Sequence, residues 1–189
     1  MSVELPAMGV VVTVVVLLVL GVLLLVAYLM ANRLDRLHIR ADLARTALFG
    51  VLGRRHVVAA AVARELAATD PDVAADLDRQ LESARDYEPQ ELLVSDSRSA
   101  RPRAEHAENA IGIALRRADP GALPASVAGE LEDVVDRLEM ARRFHNDAVR
   151  DTRAVRELWV VRTFRLAGRA PMPDYVELVE PPARGALGD

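Results

Sequence analysis

The stretch LPAMGVVVTVVVLLVLGVLLLVAYLMAN, residues 5–32, decides how the rest of the chain is read. Its 28 residues carry no charge, and Glu4 and Arg33 bound it. A helix rises about 1.5 Å per residue, so about two dozen of them cross a hydrocarbon core of about 30 Å. The run therefore predicts one membrane-spanning helix over about residues 7–30. A cleavable signal has a basic start, an apolar run of roughly 7–15 residues and a small-residue cleavage site. Here Glu4 stands in the leader, the run is too long, and Tyr28-Leu29-Met30-Ala31 is a poor cleavage motif. The reading is an uncleaved anchor, residues 1–32, with Tyr28 at an interface where aromatic rings collect.

Flanking charge sets the expected orientation. Nothing basic precedes the run except the amino terminus, whereas Arg33, Arg36, Arg40 and Arg45 follow it closely. The positive-inside rule then predicts an outside N-terminus and a cytoplasmic C-terminal part in the cell membrane.

Removing the first 32 of 189 residues leaves 157, enough for one domain with a core of its own. Aromatics are 4% of the chain, so that core must be built from Ala, Leu and Val. Such a composition favours helices and disfavours a sheet. The expected fold is all-α, the anchor running on into the first helix of an antiparallel bundle of about four helices over residues 33–178. Residues 179–189, rich in Pro and Gly, are predicted to be a disordered tail.

No Pro or Gly lies between Gly21 and Gly50, so the anchor should pass without a hinge into a rod of about 60 residues, about 90 Å long. Leu34, Leu37, Ala41, Ala44, Leu48, Val51, Val58 and Val62 recur at three- and four-residue steps, an apolar seam. Arg55 falls on that seam and either snorkels outward or pairs with a buried acidic partner. Gly50 and Gly53 suggest close approach of a neighbouring helix or a mild kink. Asp70 and Pro71 make an N-cap and first helical residue. They open a second helix over about Asp72–Tyr87, with Val73, Leu77, Leu81 and Ala84 on one face. A Ser- and Arg-rich connection follows, in which Leu92-Leu93-Val94 is apolar enough to tuck back. A third helix is expected over about Ala104–Ala118, stopped by Asp119-Pro120-Gly121. The last runs over about Ser126–Leu166, capped by Ser126, with Leu131, Val134, Leu138, Ala141, Ala148, Val155 and Trp159 as its inner stripe.

Charge and chemistry exclude more than they assign. The net charge is −4, all 24 basic residues are Arg, and Cys is absent. No basic field points to nucleic acid, no Lys is available for a Schiff base or phosphate loop, and no thiol for catalysis or metal. His38, His56, His106 and His145 show no metal-ligand spacing. The best raw material for a metal would be Glu105, His106, Glu108, His145 and Asp147, drawn from separate helices. No nucleophile is paired with a base. No enzyme activity, cofactor, metal or small-molecule substrate is expected.

Two segments resemble the LemA family of bacterial membrane-anchored proteins. Ala141-Arg142-Arg143-Phe144-His145-Asn146-Asp147-Ala148-Val149-Arg150-Asp151 is similar to that family's A-R-R-F/Y-Y/H-N-x-A-V-R-x-Y/F-N signature. Ala107-Glu108-Asn109-Ala110-Ile111, followed by Ala114-Leu115, is similar to its A-E-N helix. Arg54-Arg55 and Tyr175-Val176-Glu177 match further positions. Val57–Val62 departs from the family's D-L-I-P-N-L run, Thr152-Arg153 replaces an aromatic and Asn, and Leu158–Val161 replaces F-P-x-N. The resemblance, to a divergent member, implies a helical bundle on a single N-terminal anchor and does not imply an enzyme.

On a helix Arg143, Asp147 and Arg150 share a face, so two readings of the signature stand. One is ion pairing within the helix. The other is a structural polar network of Glu108, Asn109, Arg142, Arg143, Asn146, Asp147 and Arg150, in which Glu108 or Asn109 meets Arg142 or Asn146. The function expected is a membrane-anchored scaffold or protein-interaction module, its partners the lipid bilayer, other membrane proteins or its own copies. The alternative is a signalling element acting through the continuous helix.

Overall fold

Good helix formers and the absence of any breaker after the apolar run have the expected effect. In the computed structural model, which describes residues 7–85, 100–164, 166–168 and 172–178, the apolar run and the spine of the bundle are one element. Helix α1 spans Ala7–Leu66, 60 residues, and the described fold is all-α. Leu34, Leu48, Arg55, Val58 and Val62 of the seam are buried, and Leu52, Ala59, Ala63 and Leu66 widen it into a face. Gly50 and Gly53 do not serve a helix contact. Both are exposed, and a Cβ at either would meet nothing within 4 Å. They lie on the side of α1 away from the seam, and the helix passes through them unbroken.

Asp70 caps α2, Pro71–Arg85, by accepting from Val73 N at 3.2 Å, and Val73, Ala74, Leu77 and Ala84 are its buried face. The expected last turn to Tyr87 and the Leu92–Val94 segment lie outside the described residues. Helix α3, Ala100–Arg117, begins earlier than expected because Pro102 falls in its first turn, where a missing N–H costs nothing. A 3-10 turn at Pro120–Ala122 follows, closed by Asp119 Oδ1 accepting from Gly121 N at 3.0 Å.

Helix α4 spans Ala125–Arg156, with Pro124 at the cap and Ser126 inside the helix, so the expected Ser126 cap is replaced. Val134, Leu138, Ala141, Ala148 and Val155 are buried as expected, together with His145, Val149 and Thr152. Thr152 is accommodated by donating its hydroxyl to Ala148 O at 2.8 Å. The helix stops well short of Leu166. After Glu157 and Leu158 the chain restarts as α5, Trp159–Thr163, and Trp159 lies outside the inner stripe, exposed. The reason is packing: Val155 and Val161 join one cluster with Leu34, and residues six apart on an unbroken helix face different ways. Gly168 lies in a turn after α5, and its φ of 58° suits a residue without Cβ. Residues 172–178 form a non-helical strap.

α4 runs antiparallel to α1, as the pairs Arg40–Asp151 (3.4 Å) and Arg54–Glu130 (3.0 Å) show. α2 packs on α1, and α3 packs mainly on α2 while touching α1 little. The largest core cluster joins Val58, Val62 and Leu66 to Leu77, Ile111 and Val134. A second joins Leu48 and Leu52 to Leu138, Val176 and Leu178.

Candidate functional site

The seam position of Arg55 forces a decision. A guanidinium held among Leu52, Val58 and Ala59 needs a compensating charge, because burying an unpaired ion is costly. α3 supplies it: Arg55, 2% exposed, donates to the Glu108 carboxylate Oε2 and, at 2.8 Å, to the Glu108 carbonyl. His56, next on α1, donates through Nε2 to the other carboxylate oxygen at 2.8 Å. Burial pushes the Glu108 carboxyl up, but the His56 hydrogen bond and the Arg55 charge outweigh it, and the group is held below the usual carboxylate range. The buried-pair reading of Arg55 is the observed one. Because α3 otherwise packs on α2, this cluster fixes where α3 sits along α1.

Glu108 therefore faces α1, and among the described residues its carboxylate bonds Arg55 and His56, where Arg142 or Asn146 was expected. The reason is topological: α3 is layered on α2, and the strap comes between it and α4. Asn146 closes on one strap residue from both sides, its Oδ1 accepting from Val176 N at 2.9 Å and its Nδ2 donating to Val176 O at 3.1 Å. On the other flank Asn109 Nδ2 donates to Glu177 O and Glu105 Oε1 accepts from Glu177 N, both at 3.4 Å. Asn146 and Asn109 thus bond adjacent main-chain positions of the strap, Val176 and Glu177.

Further residues of α4 complete the hold. His145 Nε2 lies 3.2 Å from Asp174 O. Arg153 donates to Pro173 O (2.9 Å), pairs with Asp174 Oδ1 (2.5 Å) and stacks over Tyr175 at 5.2 Å. Val176 and Leu178 are buried between these polar contacts. Arg142 Nε is buried without a hydrogen-bond partner among the described residues.

The remaining signature charges behave as surface pairs. Arg143 bonds Glu139 and Arg150 bonds Asp147 at 3.0 Å, each on its own helix, while Asp151 reaches Arg40. Their side chains are largely exposed.

The sequence did not reveal the roles of His56, Glu105 and Arg153 or the packing of the strap. The strap's signal was present as the alternation of Val176 and Leu178 with Tyr175 and Glu177, the period-two pattern of a half-buried extended segment. Among the described residues no three metal-ligating side chains converge. Glu108, His145 and Asp147 each point to a different partner. The arrangement can hold helices and main chain in register. Comparison with protein-family models, with curated proteins and with solved structures found no match.

Proposed function

We propose that the chain is a bilayer-anchored helical scaffold that presents a protein-interaction surface and performs no catalysis. The observation that carries this reading is α1 itself, in which an apolar helix long enough to cross a membrane continues as the spine of the bundle. None of its most apolar 18-residue window is buried by the rest of the protein. Its Val and Leu residues from Val10 to Leu25 are 40–65% exposed, and removing each fully from water is worth about 1.5–3 kcal/mol. A bilayer is the environment that supplies this. Arg33, Arg36, Arg40 and Arg45 support a cytoplasmic bundle and an outside N-terminus.

Descent from a LemA-type ancestor is part of the proposal. It is supported by the order of anchor, middle helices and long α4, and by Asn146 of the signature holding Val176 of the Tyr175-Val176-Glu177 segment.

The partner is a membrane protein or a second copy, and the outer side of α1 is the surface offered. Ile39, Leu43 and Val57 are exposed there with Gly50 among them, spaced at four and seven residues. The native chain has no Cys, so Leu43→Cys and Val57→Cys give single attachment points for cross-linking in membranes. Adducts at these sites, with none from Arg79→Cys on α2, are expected. Failure of either α1 position to capture any protein would overturn the surface.

A second reading is favoured by the absence of any break between Ala7 and Leu66: the rod transmits a change from bilayer to bundle. Two glycines inserted after Asn32 separate the two. A scaffold keeps its cross-linked partner, whereas a transmitter loses its response.

A further inference from the structure

The short helix α5 sits at a height fixed by its inner side. Val161 packs with Leu34 and Val155, and Met30, Leu37, Leu166 and Ala167 close around them. Met30 belongs to the charge-free run and Leu34 follows Arg33, so α5 is held where α1 leaves the apolar run. The exposed side chains of α5 and the residues that flank it are unusual for a surface. Leu158, Trp159 and Phe164 are exposed, Trp159 at 67%, although the chain has one Trp and three Phe in all. Arg162 is exposed among them, and Arg33 and Arg36 are exposed on α1 at the same level.

Tryptophan is favoured at membrane–water interfaces, where its ring meets acyl chains and its N–H meets headgroups. Short apolar-aromatic surfaces bearing Arg bind in that layer, which is roughly 5–10 Å deep, and are helped by anionic lipid. We infer that α5 is a membrane-surface foot. Leu158, Trp159 and Phe164 enter the headgroup–acyl boundary of the leaflet from which α1 emerges, and Arg162 pairs with lipid phosphates. The inference rests on the reading of α1 as the membrane span. It commits to lipid because Val161 of α5 packs in one cluster with Met30 of the charge-free run, and because Arg33, Arg36 and Arg162, exposed around it, complement anionic headgroups. The foot gives the bundle a second point of attachment and restrains its rotation about α1.

Trp159 is the sole tryptophan, so its fluorescence reports on the foot alone. The full chain is placed in vesicles of phosphatidylcholine and phosphatidylglycerol and tested by flotation after alkaline carbonate. The account predicts flotation, quenching of Trp159 by lipid brominated near the headgroup end of the acyl chain, and several-fold protection from acrylamide. The double variant Arg162→Glu, Phe164→Ser leaves Trp159 and Val161 in place. It should still float but lose both the brominated-lipid quenching and the protection. A protein that floats with Trp159 open to acrylamide and untouched by brominated lipid overturns the foot and leaves the anchor standing. One that does not float overturns both. Protection that vanishes on dilution, without quenching by lipid, identifies a second copy as the occupant and overturns the lipid assignment.

Discussion

Arg55 on α1 and Arg143 on α4 are the same residue type on the two longest helices, and the bundle uses them in opposite ways. Arg55 is buried on the seam and joined to Glu108 and, through it, to His56, across two elements far apart in sequence. Arg143 lies in water and reaches Glu139 one turn back on its own helix. Arg150 does the same with Asp147. The first arrangement positions a helix; the second decorates one. Between them stands Asn146, half-buried, which spends its whole amide on the backbone of Val176.

The largest break of this contrast is Glu108→Ala. It leaves the Arg55 guanidinium buried without its carboxylate, and loss of one partner of a buried pair costs about 3–5 kcal/mol. Thermal or denaturant unfolding in detergent, followed by circular dichroism, reads the loss. The double replacement Arg55→Met, Glu108→Leu should recover most of it, since an apolar pair of similar volume has no ion to compensate. Recovery of stability with altered α3 protection in hydrogen exchange would show that the pair sets register.

Acid sharpens the same point. The Glu108 carboxyl is held below its ordinary range in the folded chain. Its contribution is therefore present above the unfolded value of about 4.3 and is lost as pH falls through the folded value. The wild-type stability should fall below about pH 4.3, and Glu108→Gln should lose that part of the slope. Asp76, lowered by hydrogen bonds from Arg79 and Gln80, titrates in both proteins and cancels in the comparison.

Asn146→Ala is the intermediate case. It strands the amide and carbonyl of Val176, at about 1–3 kcal/mol for partly buried groups. Asn109→Ala should cost less, and the two should be non-additive, because either releases the same strap. Simple additivity in unfolding free energies would contradict a strap that acts as one unit. The smallest effects belong to Arg143→Ala and Arg150→Ala, a few tenths of a kcal/mol each in the same assay.

The elements that the amino-acid pattern made legible are those whose determinants are local. α1 was readable from an apolar run with no breaker after it, and α2 from Asp70 and Pro71. The end of α4 was not, because no Pro or Gly marks Glu157; the break serves the joint packing of Val155 and Val161 on Leu34, which only the folded chain defines. The site divides along the same line. The placement of Arg55 on a buried seam could be counted from residue spacing. Its partner could not, because Glu108 lies 53 residues away and the pairing depends on α3 being layered over α2. Asn109 and Asn146 could be singled out from the sequence, while the strap that they bond follows Gly168 and Pro171, beyond any helical period.

The proposed scaffold needs apolar run and spine to be one rigid rod, which a distance across their junction measures. Spin labels at Leu25→Cys and Leu43→Cys, both exposed on α1, bracket Asn32 in the full chain in vesicles. Eighteen helical steps predict a single narrow distance of about 27 Å between the backbone positions. A broad distribution, or one centred well below that length, would place a hinge between membrane and bundle and contradict the account.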